Sequence, residues 1–318
     1  MNSHSTAAVL TARRIAVSFM AAVSAVGVTA PLASATGTGR HTPQAPLAAH
    51  GIPFADATVT QQKDGSFTVS WKAPGVVSVT VYAGDRAVAH GGPEDSVTVR
   101  GLPATDRRWF RLVPDQGDPL SLADRSLHLE GVADFRDAGG YRTADGRWVK
   151  MGVLYRTSDL HALTDADLAK LQRLGIRTDF DEWLVSKPSA IDAYRSLFSL
   201  AADPGSYALA YHCEGGKDRT GWATAALLTA LGVDRDTVTR DYLATNDHAA
   251  TSNAATLAKQ TPEMAARLKP MLDARAEYLN ASFDEVKARF GTFDAYLRDG
   301  LGLSEQDLER LREALLTD

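Results

Sequence analysis

Between residues 52 and 130, apolar and polar positions alternate in short runs: ATVT, SFTVSWKA, SVTVYA, SVTVRGL and RRWFRLV, with SLHLEG closing the series. A period of two turns every second side chain to one face, the pattern of a strand buried on one side. Lys63-Asp64-Gly65, Ala73-Pro74-Gly75, Ala83-Gly84-Asp85 and Gly91-Gly92-Pro93 interrupt the runs at hairpin spacing, since Gly and Pro supply the backbone angles of tight turns. The region is predicted to be a small antiparallel β-sandwich with Trp71, Trp109 and Phe110 in its core.

Beyond Gly131 the period changes. Residues 153–155 read as a strand, and Thr164 with Asp167 forms a start signal for a helix over 165–174, which Gly175 ends. A strand over 176–180, a helix over about 189–201 and a short strand over 207–211 follow, then a helix over 220–231 closed by Gly232. Strands alternating with helices predict an α/β fold, a mainly parallel sheet flanked by helices, with the loop after residue 211 at the carboxyl end of a strand. The last third reads as helical throughout, with starts at Thr261-Pro262-Glu263, Ser282 with Glu285, and Ser304 with Asp307. Met264, Leu268, Met271 and Leu272 fall at the spacing of a buried helix face.

The amino terminus has a different pattern. Arg13-Arg14 precedes an apolar run over 15–30, then Pro31 and the small residues Ala33-Ser34-Ala35, the layout of a secretory signal peptide cleaved after Ala35. The run is too short for a convincing membrane span. The predicted organisation is thus a signal peptide over 1–35, a Pro/Gly/Thr/Ala-rich flexible linker over 36–51, the β-sandwich over 52–130 and an α/β domain over 131–318. The expected location is secreted or extracytoplasmic.

A net charge of −5 offers no basic stripe for nucleic acid, so any anion site must be local. Export makes the single cysteine, Cys213, informative, because one thiol has no internal disulfide partner. One Cys, and eight histidines without an H-E-x-x-H spacing, give no zinc site.

Cys213 opens the segment Cys213-Glu214-Gly215-Gly216-Lys217-Asp218-Arg219-Thr220-Gly221, preceded by His212, between a predicted strand and a predicted helix. Backbone N–H groups from Glu214 to Arg219 can converge on a phosphate, with Gly215 and Gly216 supplying the dihedrals and the close approach. The positive end of the following helix adds to the same spot, and the planar fork of Arg219 holds two phosphate oxygens. The same field favours Cys213 as a nucleophilic thiolate. Thr220 is placed to donate a hydroxyl hydrogen bond to the sulfur, Asp218 to protonate the leaving oxygen, and Lys217 to add positive charge at the rim.

HCEGGKDRTG resembles the signature of cysteine-dependent protein tyrosine phosphatases, and its GKDRTG ending the bacterial secreted tyrosine and phosphoinositide phosphatases often called the tyrosine phosphatase 3 family. DFRDAGGYRTADGRWVKMGVLYRTSDLHALTDADLAKLQRLGIRT, RDYLATND and FDEVKARFGTFDAYLRDGLGLS extend the resemblance over most of 131–318, and 52–130 resembles a fibronectin type III-like module. The resemblance implies Cys213 as nucleophile, Arg219 as phosphate-binding arginine, Asp218 as acid and a metal-independent reaction without cofactor. It implies a phosphorylated protein or phosphoinositide as substrate, the latter through Lys217.

Two departures stand out. Relatives continue after GIRT with an Asp-Leu-Arg turn and a long connection, whereas here 176–187 read IRTDFDEWLVSK and 181–207 hold little beyond one helix, an apparent internal deletion near 182. Asp179, Asp181 and Glu182 read as solvated junction residues, not a metal site. Asp134 stands where relatives commonly have Asn. Two functions compete: an exported phosphatase working through a phosphocysteine, or an impaired phosphate-binding or adhesion protein that the shortened segment has disabled.

Overall fold

The alternating runs fold, in a computed structural model, into β1 Asp56–Gln61, β2 Phe67–Lys72, β3 Val79–Ala83, β4 Arg86–Gly91, β5 Glu94–Val99, β6 Trp109–Pro114 and β7 Leu120–Ala123. The structure describes residues 51–158, 160, 162–176, 178–181 and 188–317, without the side chains of 178–181 and 188–190. The signal peptide, its cleavage site, the linker up to residue 50, the Glu182 part of the acidic cluster and the shortened stretch 182–187 lie outside the described residues.

The strands form two antiparallel sheets, in the orders β1-β2-β5 and β4-β3-β6-β7. Val59, Val69 and Trp71 from the first meet Val81, Phe110 and Leu112 from the second in one buried cluster. The Trp71 indole N–H donates to the Gly92 carbonyl at 2.9 Å, so a polar group buried with the ring is satisfied. Trp109 corrects the expectation of a core residue: it is 39% exposed and carries the Arg107 guanidinium 4.7 Å from its ring centre. The pattern does not reveal β4 because RAVAHG has weak strand propensity, and because a register shift between Val81 and Tyr82 disturbs its pairing with β3. SLHLEG is not a strand; Ser126 makes a single bridge to Arg136, and Leu127 packs with Phe135 and Tyr155.

The rest of the chain is a mixed α/β arrangement. Strands β8 Arg136–Asp137, β9 Leu154–Thr157, β10 Thr178–Asp181 and β11 Leu209–His212 form a sheet in the order β10-β11-β9-β8. β11 runs parallel to both neighbours, and β8 pairs antiparallel with β9. The helices are α1 Asp165–Arg173, α2 Pro188–Ala201, α3 Asp218–Ala230, α4 Arg235–His248, α5 Ala250–Ala258, α6 Pro262–Leu272, α7 Ala276–Phe290, the single turn α8 Phe293–Ala295 and α9 Glu305–Leu315. Capping boxes at Thr164/Asp167 and Ser304/Asp307 start α1 and α9. Ser282 does not start a helix; it lies inside α7 and its hydroxyl donates back to the Tyr278 carbonyl.

Leu209 and Tyr211 of β11 pack with Leu197 and Phe198 of α2, Trp222 and Leu227 of α3, and Leu311 of α9. α3 is buried on nearly all sides, so its apolar stretch is core on every face. α5 and α6 bury no residue fully, and Met271 is 70% exposed. The buried face expected from Met264, Leu268, Met271 and Leu272 is therefore not formed.

The described residues belong to one compact unit. Inside it, Arg107 from the β5–β6 connection donates to the Asp137 carboxylate at 2.7 Å and to the Tyr155 hydroxyl at 2.9 Å, with both ion-pair partners buried. Replacing Arg107 by Ala leaves Asp137 charged and buried, and is expected to cost about 3 kcal/mol in denaturant unfolding. No helix among the described residues is long and apolar enough to cross a membrane.

Candidate active site

β11 ends at His212, and Cys213 follows at the carboxyl edge of the sheet as a free, buried thiol. α3 begins five residues later, so the chain from 213 to 217 must turn back on itself. Gly216 makes that turn possible. Its φ is +63°, and a Cβ there would lie 2.7 Å from Ser158 Cα and 2.8 Å from the Thr157 carbonyl oxygen. Gly215 is different, since a Cβ at that position meets no protein atom within 4 Å; of these two positions, close approach to the protein requires glycine at 216 alone. Gly216→Ala is expected to destabilise the fold by roughly 2 kcal/mol and to lower phosphate-releasing activity, read by thermal unfolding and a phosphate assay.

The amides of Glu214, Gly215, Gly216 and Lys217 donate to no acceptor among the described residues. Together with the first amides of α3, which have no partner inside the helix, they form a set of donors at one helix N-terminus. Arg219 sits in the first turn of α3, its guanidinium 3.8 Å from the exposed carboxylate of Glu214. The hydroxyls of Tyr211 and Thr224 meet at 2.9 Å and tie β11 to α3.

Two of the predicted site residues stand differently from expectation. Lys217 is buried, not at the rim: its ammonium donates to the Asp273 carbonyl at 3.1 Å, contacts the Asp218 carboxylate at 3.1 Å and lies 5.2 Å from the Tyr278 ring centre. The α6–α7 connection and α7 have folded over it. Thr220 is buried, but its hydroxyl makes no hydrogen bond, to the sulfur or to any other described group. Asp218 points outward, 57% exposed, and receives the Tyr242 hydroxyl at 2.8 Å on Oδ1 and Lys217 on Oδ2.

Beneath the loop lies a charged network that motif reading passes over. Arg156 of β9, fully buried, donates to the Gly216 carbonyl at 2.8 Å and to Asp241 at 3.0 Å. Asp241, on α4, also receives Arg125 at 2.6 Å and the Tyr141 hydroxyl at 2.8 Å, while the Arg136 guanidinium lies 3.5 Å away and donates to its carbonyl at 2.9 Å. Burial alone would push the Asp241 carboxyl up, but Arg136, Arg156 and Arg125 outweigh it and hold it well below the usual carboxylate range. Asp134 completes the network: it pairs with Arg136 and lies 4.0 Å from Arg156. Its φ of +60° suits Asp and Asn alike, because a short polar side chain tolerates the left-handed region.

A cleft of about 800 Å³ lies between β1, β7 and α4, with Asp234, Arg240 and His248 among its lining residues. No residue of the Cys213 loop lines it, so cavity size does not mark the reactive centre.

A buried cysteine at a strand end, loop amides without acceptors among the described residues and an arginine in the next helical turn thus meet at the N-terminus of α3. A model described as the tyrosine phosphatase family matches residues 127–182 and 182–317, together more than half of the chain; the chain belongs to the tyrosine phosphatase family and is a protein-tyrosine phosphatase. The two matched segments meet at Glu182, where the sequence looks shortened. The chain is similar to a protein of Cupriavidus necator named as a tyrosine-protein phosphatase, 31% identical over 255 residues that cover 63% of this chain and 92% of the relative. It is also similar to the triple specificity protein phosphatase PtpB of Mycobacterium tuberculosis, 38% identical over 118 residues, 33% of this chain and 42% of that protein.

Proposed function

We propose that the chain is an exported phosphatase that removes phosphate from phosphotyrosine, and from other phosphoesters, through a phosphocysteine on Cys213. The observation that carries this reading is the loop itself: a buried thiol, free amides and Arg219 gathered at the N-terminus of α3. In the first step Cys213 Sγ, as thiolate, attacks phosphorus while the P–O bond to the leaving group breaks, and Asp218 gives its proton to the departing oxygen. In the second, water attacks the phosphocysteine, Asp218 takes its proton, and the thiolate leaves with inorganic phosphate released. Arg219 and the loop amides stabilise the charge on the equatorial oxygens in both steps.

The breadth beyond phosphotyrosine rests on the similarity to a relative named for triple specificity. Export rests on the pattern of residues 1–35. A mainly parallel sheet, with a fibronectin type III-like module before it, is the finer fold reading, and the strand orders support it.

The test is release of phosphate from 4-nitrophenyl phosphate and a phosphotyrosine peptide in the presence of a chelator. Turnover is expected, and binding of phosphate without turnover would favour the disabled reading. Arg219→Lys keeps the charge but loses the fork, and is expected to lower kcat/KM by about 10²-fold in the same assay.

A further inference from the structure

Asp218 is exposed, yet a buried residue from another helix holds one of its carboxylate oxygens. Tyr242 of α4 is buried, and its hydroxyl donates to Asp218 Oδ1 at 2.8 Å. The ring reaches this position only because residue 221 is glycine: a Cβ there would lie 2.6 Å from the Tyr242 ring. Lys217 contacts the other oxygen, Oδ2, at 3.1 Å.

We propose that Tyr242 is a positioning residue for proton transfer, fixing Oδ1 so that Oδ2 is the oxygen that carries the proton to the leaving group and later takes one from water. The inference rests on the reading of Asp218 as the acid. Burial, and then the Asp218 carboxylate, push the Tyr242 phenol well above its ordinary range, so it stays a donor at every working pH. Without its hydroxyl the carboxyl group rotates, and a proton that must arrive in the transition state arrives less often. The loss depends on how much the leaving group needs that proton. A nitrophenolate leaves almost unaided, whereas an unsubstituted phenolate does not.

The experiment compares kcat/KM for wild type, Tyr242→Phe and Asp218→Asn over a series from 4-nitrophenyl to unsubstituted phenyl phosphate, with vanadate binding to certify the loop. Tyr242→Phe is expected to bind vanadate as wild type does, and to lose about 2-fold on 4-nitrophenyl phosphate and about 10-fold or more on phenyl phosphate. Asp218→Asn is expected to show the same slope, more steeply. A uniform loss across the series, or no loss, in Tyr242→Phe beside a steep Asp218→Asn overturns the positioning role alone. A flat Asp218→Asn series removes the acid assignment, and the inference with it. Should Tyr242→Phe fail to fold, Gly221→Ala displaces the ring while keeping the phenol; leaving-group-dependent loss supports the proposal and a uniform loss overturns it.

Discussion

Replacing Cys213 by Ser reduces phosphate release to background, a fall of about 10⁴-fold or more, because the nucleophile of the first step is gone. A serine hydroxyl has nearly the same size, so the buried position is still filled. It does not become an anion near neutral pH, so the first step lacks its nucleophile. The variant is expected to unfold within a few degrees of wild type and to bind vanadate or phosphate, since the amides and Arg219 are untouched. A phosphate assay beside a binding titration separates loss of chemistry from loss of the cradle.

The second large effect lies away from the motif. Asp241→Ala leaves Arg125, Arg136 and Arg156 crowded together, with the fully buried Arg136 and Arg156 losing one of the two carboxylates beside them and keeping only Asp134. Removing one partner of a buried charged network costs about 3–5 kcal/mol, which for a chain of this size lowers the melting temperature by roughly 10 °C. Activity falls as well, because Arg156 also holds the Gly216 carbonyl. The same region sets an acid limit. Burial first, and then Arg136 and Arg125, push half-buried His248 down from 6.5 to about 4, so the folded state resists its protonation. Its contribution to stability is whole above pH 6.5 and is lost as pH falls towards 4. Asp241, held below its ordinary 3.8, stabilises above that value and loses its contribution as pH falls further. Unfolding in denaturant from pH 7.5 to 3.5 is expected to show stability declining with acid, and less steeply in His248→Gln.

The reactive loop is legible in the sequence because its chemistry is local: residue 213 supplies a thiol, 219 a fork, and 216 the one conformation that β9 leaves room for. The two sheets of the amino-terminal part are legible for a similar reason, since alternation is a property of adjacent residues. Long-range placement is what stays hidden. Lys217 reads as a free cation until the α6–α7 connection is folded against it. Met264 and Met271 sit at the spacing of a core face, but α6 lies at the surface and buries none of its residues fully. Arg125, Arg136, Arg156 and Asp241 are far apart in the chain, and only the approach of β8, β9 and α4 makes them a network. Tyr242 lies inside RDYLATND, a block noticed for its resemblance, but its role depends on the glycine at 221 and on the helix that carries Asp218.

The most direct measurement is acid quench of the enzyme during turnover of a phosphotyrosine peptide, followed by mass spectrometry of the peptide carrying Cys213. The Asp218→Asn variant extends the lifetime of the intermediate by slowing its hydrolysis. A phosphate adduct on Cys213 that forms with substrate and vanishes after it is consumed is the predicted result. Turnover with no adduct on Cys213, or with an adduct on another residue, contradicts the phosphocysteine route.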